Sequence, residues 1–460
     1  MKVVLSVLVR SFGGTGTGAA GRNGLGRPSA VWTASPWRNL VAPSTDPVEL
    51  RARIRRCRNA QLPLSCWRCE RRSSVRTLGL DVHKAFIEVA LHEAGSVRRV
   101  GRVAIKDLSV FAESLSPNDH VVLESTSVSW AIVDVLATKA GRVTVSNPMK
   151  TKAIASAKVK TDKVDARVLA QLGAADFVAE VWVPDPETRV LRRRVAHRAG
   201  LVRQRTALRN QIHGVLARNL AHLPAVSDLF GRRGRRALEE VALPDHEREQ
   251  IDSALRLHGA LQGEIDRLDR ELAGCALERD EVRRLLTIPG MGAVTALSLI
   301  SVIGNVERFA SARHLVGYLG LDPRVRQSGE QRPRMGHISR QGQAHARGLL
   351  VEAAHIAVRS PGPLRAFYLR VRTRRGTQVA IVATARKLAV LCWQLLHNGE
   401  DYRHASPRLT ASKLRALQLR AGDRGTRVQV PKRTDHDRGL REAAQSEYEE
   451  FVAERIGPGG

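Results

Sequence analysis

The sequence predicts an α/β N-terminal domain, with a mixed five-stranded sheet and helices, followed by a mainly α-helical region. Between residue 77 and about residue 175, short apolar runs alternate with segments of helical period. From residue 187 onwards, leucine, valine and isoleucine recur mostly at spacings of three or four, the period of an α-helix. The first apolar run also ends in an acid, Asp81, before a tight turn and a second apolar run.

The elements of the N-terminal domain follow one another in a defined order. Three strands are expected to be joined as hairpins, with Gly101 marking a bulge in the third. βαβ units and a final helix that carries two acids come next. This is the order of the ribonuclease H-like fold. The predicted strands cover 77–81, 85–91, 97–105, 120–124 and 142–146, and the predicted helices cover about 107–115, 129–140 and 161–173.

Four acids occur at the ends of these elements. Asp81 and Glu124 each end an apolar strand, and Asp162 and Asp165 lie one helical turn apart at a helix start. Four hard oxygen donors in this order suit two Mg²⁺ ions about 3.5–4 Å apart at a phosphate. Each acid taken singly is equally consistent with a solvated residue or a helix cap. The order of the four favours a magnesium site.

The net charge points to a polyanionic partner. The chain carries 75 Lys+Arg against 45 Asp+Glu, a formal net charge of +30, and nucleic acid is the simplest partner for such an excess. The segment after Pro148 forms a predicted basic loop beside the acids, which would hold a phosphate backbone or simply be solvated. Its cations are Lys150, Lys152, Lys158 and Lys160.

The helical region begins after a boundary at Pro184-Asp185-Pro186. Residues 187 to about 285 predict a long helical hairpin, rich in Arg and Leu, that would pair with another copy or lie along a nucleic-acid backbone. Next, LLTIPGMG at 285–292 predicts a helix-hairpin-helix. Gly290 and Gly292 would let backbone N–H groups approach a phosphate, and the alternative is a plain turn between helices.

A second chemical stretch surrounds Ser328. A serine in a Gly-containing loop among arginines can attack phosphorus, but Ser-Gly is also a common turn pair, so both interpretations remain open. Ser339 is expected to cap the helix that follows at about 343–358. The arginines expected to contact nucleic acid are Arg324, Arg326, Arg332, Arg334 and Arg340.

The remaining segments complete the expected organisation. No apolar run reaches the roughly 18 residues that a bilayer requires, so we expect no membrane span and a cytoplasmic protein. We expect residues 1–76 to be a disordered or mis-started basic extension, and residues 399–460 to be a flexible charged tail. Between them lie the α/β domain at 77–183, the helical hairpin at 184–284 and a C-terminal domain at 285–398.

Five motifs together resemble a known family, the bridge-RNA-guided transposases of the insertion-sequence one-hundred-and-ten group. The similarity runs from about Thr77 to about Asn398. The motifs are LGLDVHK (78–84), VVLEST (121–126), KTDKVDARVLAQL (160–172), LLTIPGMG (285–292) and YLGLDPRVRQSGEQRPRMGHISRQG (318–342).

The resemblance implies a DNA transposase or recombinase with a RuvC-like domain and a serine-containing C-terminal domain. Its metal-binding acids would be Asp81, Glu124, Asp162 and Asp165, and its nucleophile Ser328. The resemblance further implies two Mg²⁺ ions per active site, donor and target double-stranded DNA, and a structured non-coding guide RNA. It also implies a homo-oligomer, dimer to tetramer, whose subunits share a composite site.

Two other functions fit some of the same residues. One is a metal-dependent, structure-specific nuclease of the Holliday-junction-resolving type, with Ser328 only structural. The other is a non-catalytic nucleic-acid-binding protein, against which the presence of all four acids and the serine argues.

Overall fold

The computed structural model describes residues 76–154, 161–329, 331–423, 425, 427–432 and 435–456. The predicted basic extension at 1–76 lies outside these ranges except for Arg76, and so do Lys158 and Lys160. The N-terminal part contains a five-stranded sheet of order β3-β2-β1-β4-β5. Its strands are β1 (Thr77–Val82), β2 (Phe86–Glu93), β3 (Ser96–Ala104), β4 (His120–Glu124) and β5 (Arg142–Ser146).

The sheet is mixed, as predicted. β1 pairs antiparallel with β2, and β2 with β3, whereas β4 runs parallel to both β1 and β5. The register between β2 and β3 shifts at Val89/Ala90, opposite Gly101, so the predicted bulge is confirmed. The helices of this part are α1 (Leu108–Glu113), α2 (Ser129–Leu136), α3 (Pro148–Ile154) and α4 (Asp162–Ala174).

Apolar packing fixes the two faces of this sheet. Leu80, Ile87, Leu123 and Leu136 are fully buried in one core, on the face that α1 and α2 cover. The opposite face meets α4 through small residues, chiefly Ala166 and Ala170. Small side chains let the helix approach the strands closely, and this approach brings the acids of α4 to the sheet.

The predicted helical hairpin is present, with an additional helix near its tip. α5 (Pro186–Arg218) and α7 (Asp245–Leu277) pack along each other, and α6 (Arg232–Glu240) lies between them in sequence. Asp185 caps α5 by accepting from the Thr188 N–H at 2.8 Å, ahead of Pro186. A separate small core that includes Ile212, Phe230 and Leu238 holds α6 against the hairpin.

The C-terminal region is helical around the long apolar helix α13, with one two-stranded sheet. β6 (Pro323–Arg326) and β7 (Arg334–Ile338) form an antiparallel hairpin. The helices of the C-terminal region up to residue 398 are α8 (Asp280–Leu286), α9 (Ala293–Ile303), α10 (Ala312–Tyr318), α11 (Ala344–Ala357), α12 (Pro363–Arg375) and α13 (Thr377–Asn398). By length and composition, α13 alone among helices in the described ranges could cross a membrane, and it packs here against α8, α10, α11 and α12.

The expected flexible tail at 399–460 is wrong for its described residues. α14 (Pro407–Ala421) packs against α7 and α8, and α15 (Asp435–Ile456) packs against α12. Ser406 caps α14 by accepting from the Leu409 N–H, and Leu417 enters the main core. The composition of residues 399–460 is charged, but α14 and α15 each carry a few apolar residues that pack against the neighbouring helices.

Candidate active site

Asp81 and Glu124 end adjacent parallel strands. Leu80 of β1 pairs with Leu123 of β4, so the two acids are the next residues in the same register. Parallel neighbours lie about 4.8 Å apart and present paired side chains to one face. Beyond Glu124, the buried Ser129 hydroxyl donates to the Glu124 carbonyl at 3.0 Å and fixes the path of the chain.

The helix α4 crosses β1 on the face of Asp81. A Cβ atom on Gly79 would lie 2.0 Å from the Ala166 carbonyl oxygen and 2.4 Å from the Ala170 nitrogen. Gly79 and Asp81 are two residues apart, so both face α4. At the opposite end of β1, Thr77 lies against Gly173. The helix therefore runs antiparallel to β1 and aims its N-terminus at Asp81.

The first turn of α4 supplies the other two acids. Thr161 caps the helix by accepting from the Val164 N–H, which makes Asp162 the first helical residue and places Asp165 one turn later. Free N–H groups and the helix dipole make this end positive, which favours negative charge there. Both acids act electrostatically on Asp81.

His83 completes a group that the motif contained but sequence reasoning left without a role. Its Nε2 atom lies 3.1 Å from Asp81 Oδ2 and 3.3 Å from Asp162 Oδ2. The ring packs on Phe86 at 4.8 Å between centroids, and the His83 N–H donates to the Phe86 carbonyl. The sequence signal for this role was the position of His83, two residues after Asp81 in a tight hairpin.

The charges at this site are crowded. Burial raises the pKa of Asp81, His83 opposes that shift, and the charges of Asp165 and Asp162 raise it further. Asp81, His83 and Asp162 each offer one ligand atom, and these atoms lie within 4.8 Å of one another. Half-buried carboxylates that repel one another are stabilised by a divalent cation, and their oxygens are the donors Mg²⁺ prefers. The donor set therefore fits a divalent metal.

A fifth acid lies beside Asp81 but is already paired. Glu88 on β2 is the register partner of Asp81 and is fully buried. Arg99 and Arg102 on β3 both bind its carboxylate, Arg102 at 3.0 Å, and they lower its pKa. Glu88 therefore anchors β3, and the two arginines already satisfy its oxygens. Sequence reasoning missed it because its position depends on strand register.

Ser328 lies at the exposed tip of the β6–β7 hairpin. Gly329 follows with φ 55°, and the Ser328 carbonyl accepts from the Gln331 N–H at 3.3 Å. No hydrogen bond joins the Ser328 side chain to Asp81 or Asp162 in the described parts of the chain. Ser328 is exposed, and the hairpin and the acid site belong to different regions of the chain.

The base of this hairpin corrects the expected role of Ser339. Its hydroxyl donates to Asp322 Oδ1 at 2.6 Å, and its N–H donates to the Asp322 carbonyl at 2.7 Å. The helix α11 begins instead after Gln343, which makes no side-chain cap. Ser339 therefore closes the hairpin and is not a helix cap.

The predicted nucleic-acid contacts divide into exposed cations and two glycines. All five arginines around Ser328 are exposed. Of the predicted basic loop, Lys150 and Lys152 are also exposed but lie on α3, so that part is helical. A short Asx cap at Asn147, which accepts from the Met149 N–H, starts this helix. The exposed arginines are Arg324, Arg326, Arg332, Arg334 and Arg340.

The two glycines of the 285–292 turn have different surroundings. A Cβ on Gly290 (φ 80°) would lie 2.2 Å from the Ala353 carbonyl oxygen of α11. The missing side chain of Gly290 thus makes room for a helix, and its contact with a phosphate stays a prediction. Gly292 precedes α9, is exposed and would meet nothing within 4 Å. The first N–H groups of α9 remain a candidate contact.

Two family models match this chain on either side of the helical hairpin. The model described as "Transposase IS116/IS110/IS902 family" matches residues 282–369. A second model, described as a transposase and specific to the DEDD domain of IS110, matches residues 78–219. The first includes the Ser328 hairpin, and the second includes all four acids of the candidate site.

Curated relatives agree with these models. A probable family 20 transposase of Pseudomonas aeruginosa is 29% identical over 255 residues, covering 53% of this chain and 74% of the relative. The transposase for insertion sequence element IS1111A of Coxiella burnetii is also 29% identical, covering 53% and 68%. A pilin gene-inverting protein of Moraxella lacunata is 25% identical, covering 62% and 81%. The chain belongs to the IS116/IS110/IS902 family of transposases, with an N-terminal DEDD domain.

Proposed function

We propose that this insertion-sequence transposase cuts and rejoins DNA through Ser328, with the four acids holding Mg²⁺ and a structured non-coding RNA choosing the sites. The observation that carries the proposal is the approach of the α4 N-terminus to the carboxyl ends of β1 and β4. At this end Asp162 and Asp81 share contacts with His83, Asp165 acts electrostatically on Asp81, and Glu124 follows the residue that pairs with Leu80; these relations support the proposal that the four acids form one site. The relative named for inverting a pilin gene supports recombination as the reaction class.

Asp81, Glu124, Asp162 and Asp165 would hold the metal as two Mg²⁺ ions. Bound Mg²⁺ supplies Lewis-acid stabilisation of charge on phosphate oxygens. The protein contributes the α4 N-terminus, whose dipole also favours a phosphate. His83, whose Nε2 atom contacts both Asp81 and Asp162, would bridge these two carboxylates.

The serine step balances without any further reactant. Ser328 Oγ forms a bond to phosphorus, the P–O3′ bond breaks, and the strand leaves with a 3′-hydroxyl. The proton lost by the serine is matched by the one gained at that oxygen. A 3′-hydroxyl of a partner strand reverses the step and releases the serine. The arginines around Ser328 would neutralise charge that develops at phosphorus.

The expected partners come from the family resemblance and from the charge of the chain. The resemblance implies that Ser328 and the acids meet in a composite site formed by subunits of a dimer or tetramer. The excess of basic residues suits backbone contacts with donor and target DNA. Pairing with a guide RNA would then supply sequence choice, as in other guided systems. The reaction would take place in the cytoplasm.

The decisive experiment is strand exchange in vitro with DNA of the element's ends, its adjacent non-coding RNA and Mg²⁺. Ser328→Ala is expected to abolish both the covalent protein–DNA adduct and strand exchange, because the attacking oxygen is lost. Ser253→Ala, an exposed serine on α7, is the matched control. Cleavage retained by Ser328→Ala would replace the proposal with a structure-specific nuclease.

The acid site has its own test. Asp81→Asn and Asp162→Asn should each abolish cleavage, and both should reduce the Mg²⁺-dependent rise in melting temperature of the free protein. Asp266→Asn, an acid on α7 outside the site, should change neither. Full activity in Asp81→Asn would remove the metal site from the mechanism. If these two variants lose the Mg²⁺ response but bind nucleic acid normally, the acids act in cleavage and not in nucleic-acid binding.

A further inference from the structure

The helical hairpin carries a ladder of arginines on α5 that reach partners on α7. At one end Arg198 binds Asp269 through two hydrogen bonds of 2.5 and 3.2 Å. At the other end Arg218 binds the carboxylate of Glu247, its Nε at 2.6 Å. Both terminal rungs are therefore neutralised ion pairs.

The two middle rungs have neutral partners instead. Arg205 Nη1 donates to Gln262 Oε1 at 2.6 Å, and Arg209 Nε donates to His258 Nε2 at 3.0 Å. A third guanidinium, that of Arg235 on α6, donates to the Phe230 carbonyl at 3.2 Å. Among the described residues, none of these three arginines forms an ion pair with a carboxylate. We refer to Arg205, Arg209 and Arg235 as the arginine triad.

His258 holds the triad together without neutralising it. The side chain is buried, and its ring stacks on Phe230 at 5.2 Å, while the Arg209 guanidinium lies 4.6 Å from the Phe230 centroid. Since Nε2 accepts from Arg209, a neutral ring carries its proton on Nδ1. Arg235 Nη2 lies 3.4 Å from that Nδ1–H and so meets a donor where it requires an acceptor.

Two further observations indicate that the positive charge of the arginine triad is not neutralised within the protein. Arg205 Nε is buried with no hydrogen-bond partner. Burial and the positive charges of Arg209 and Arg198 lower the pKa of Arg205, against a smaller opposing effect of Asp266 and Asp269. Burial and the triad lower the pKa of His258, against a smaller opposing effect of Asp228. All three arginines remain partly accessible to solvent. Clustered, half-buried cations of this kind are costly unless an anion joins them.

We infer that the arginine triad binds a phosphate group, and that its source is the backbone of a nucleic acid lying across the hairpin between α5, α6 and α7. Planar guanidinium groups bind phosphate oxygens through paired N–H bonds. The site gives α6 a function, since this helix brings Arg235 to the ladder. This inference rests on the nucleic-acid binding in the proposed function and does not depend on the serine chemistry.

The first test measures the anion alone. Millimolar inorganic phosphate should raise the melting temperature of the full-length protein beyond the effect of chloride at equal ionic strength. Arg209→Gln with Arg235→Gln should lose this rise. Arg267→Gln, an exposed arginine of α7 paired with Glu264 and Glu271, should keep it. An equal phosphate response in the double variant would overturn the inference.

A second variant guards against loss of folding. Gln262→Glu gives Arg205 the carboxylate found on the terminal rungs, so the fold should remain intact while the phosphate response falls. Far-ultraviolet circular dichroism and the melting temperature in chloride report on the fold. A folded Gln262→Glu protein with an undiminished phosphate response would contradict the assignment.

The last arm identifies the source of the phosphate. Binding of duplex DNA and of the element's structured RNA is measured at several salt concentrations. Loss of one phosphate contact lowers the slope of log K against log salt by about 1. The double variant should show this decrease with at least one nucleic acid, and Arg267→Gln should not. A lost response to inorganic phosphate with unchanged slopes would contradict a backbone phosphate and assign the triad to a free anion. Ser328→Ala should leave the phosphate response and the salt slopes unchanged. Failure of the serine mechanism can therefore be distinguished from failure of the phosphate site.

Discussion

Gly79 determines how closely α4 approaches the strand that carries Asp81. Its Cα lies against the backbone of α4, where an added Cβ would be 2.0 Å from the Ala166 oxygen. Backbone atoms on both sides cannot rotate away, in contrast to the end of a flexible side chain. The spacing between Asp81 and the first turn of α4 therefore depends on the absence of one methyl group.

Gly79→Ala should lower the free energy of unfolding by on the order of 3 kcal/mol, because the helix must move away from the sheet. The same movement should separate Asp81 from Asp162 and reduce cleavage more than DNA binding. Gly214→Ala is the control, since Gly214 lies in α5 and an added Cβ meets nothing within 4 Å. That change should raise stability by about 0.5–1 kcal/mol. Chemical denaturation of both variants checks the contrast.

The acids were predictable at the residue scale because each occupies a recognisable place, a strand end or a helix start. Their places relative to one another follow from the order of the elements. Glu88 and the arginine triad were not predictable in this way. Their roles depend on strand register and on which side chain of α7 faces each arginine of α5, and neither is a property of local sequence.

At the scale of elements, the turn after α8 depends on a lysine from the C-terminal region. Lys413 of α14 is mostly buried, and its Nζ donates to the Leu286 carbonyl at 2.6 Å and the Ile288 carbonyl at 2.8 Å. The Tyr402 N–H donates to Thr287 Oγ1 at 3.0 Å in the same turn. Elements that sequence patterns assigned to a flexible tail thus fix the turn that precedes α9.

Lys413→Met should destabilise the protein by about 1–3 kcal/mol at pH 7, because two buried carbonyls lose their donor. Burial lowers the pKa of Lys413 to about 8, below the ordinary value of 10.5. Between these values the unfolded chain binds more protons, so the wild type gains stability as pH rises from about 8 to 10.5. The methionine variant lacks this gain. Denaturation at pH 7, 8.5 and 10 measures the difference, with Lys432→Met as an exposed control.

The periods of α5, α7 and α13 were readable because long helices repeat their apolar positions many times. The tail helices were not recognised because α14 and α15 contribute few apolar residues to the core, among them Leu417 and Ala444. Gly290 shows a related limit. A Pro-Gly-x-Gly turn predicts close approach of a backbone, and only the tertiary structure identifies that backbone as Ala353.

At the scale of the whole molecule, one aromatic side chain links the DEDD domain to the C-terminal region. Trp182 follows the sheet and lies against Gly304, just after α9. The guanidinium groups of Arg308 and Arg192 lie 4.1 and 4.9 Å from its ring centroid. Both arginines also cap the last carbonyls of α9: Arg192 donates to Ser301 and Val302, and Arg308 donates to Val302 and Ile303. These contacts connect residues more than a hundred positions apart, and local sequence patterns do not predict such contacts.

Trp182→Ala should uncouple the two regions, because the ring is the surface on which both capping arginines lie. Loss of two cation–π contacts should lower stability by about 2 kcal/mol and separate the thermal unfolding of the DEDD domain from that of the C-terminal helices. Differential scanning calorimetry should then resolve two transitions, whereas the wild type should show a single cooperative transition. Trp182→Phe retains an aromatic face and should remain close to the wild type. An unchanged calorimetric profile in Trp182→Ala would contradict this role of the ring and mean that other contacts couple the two regions.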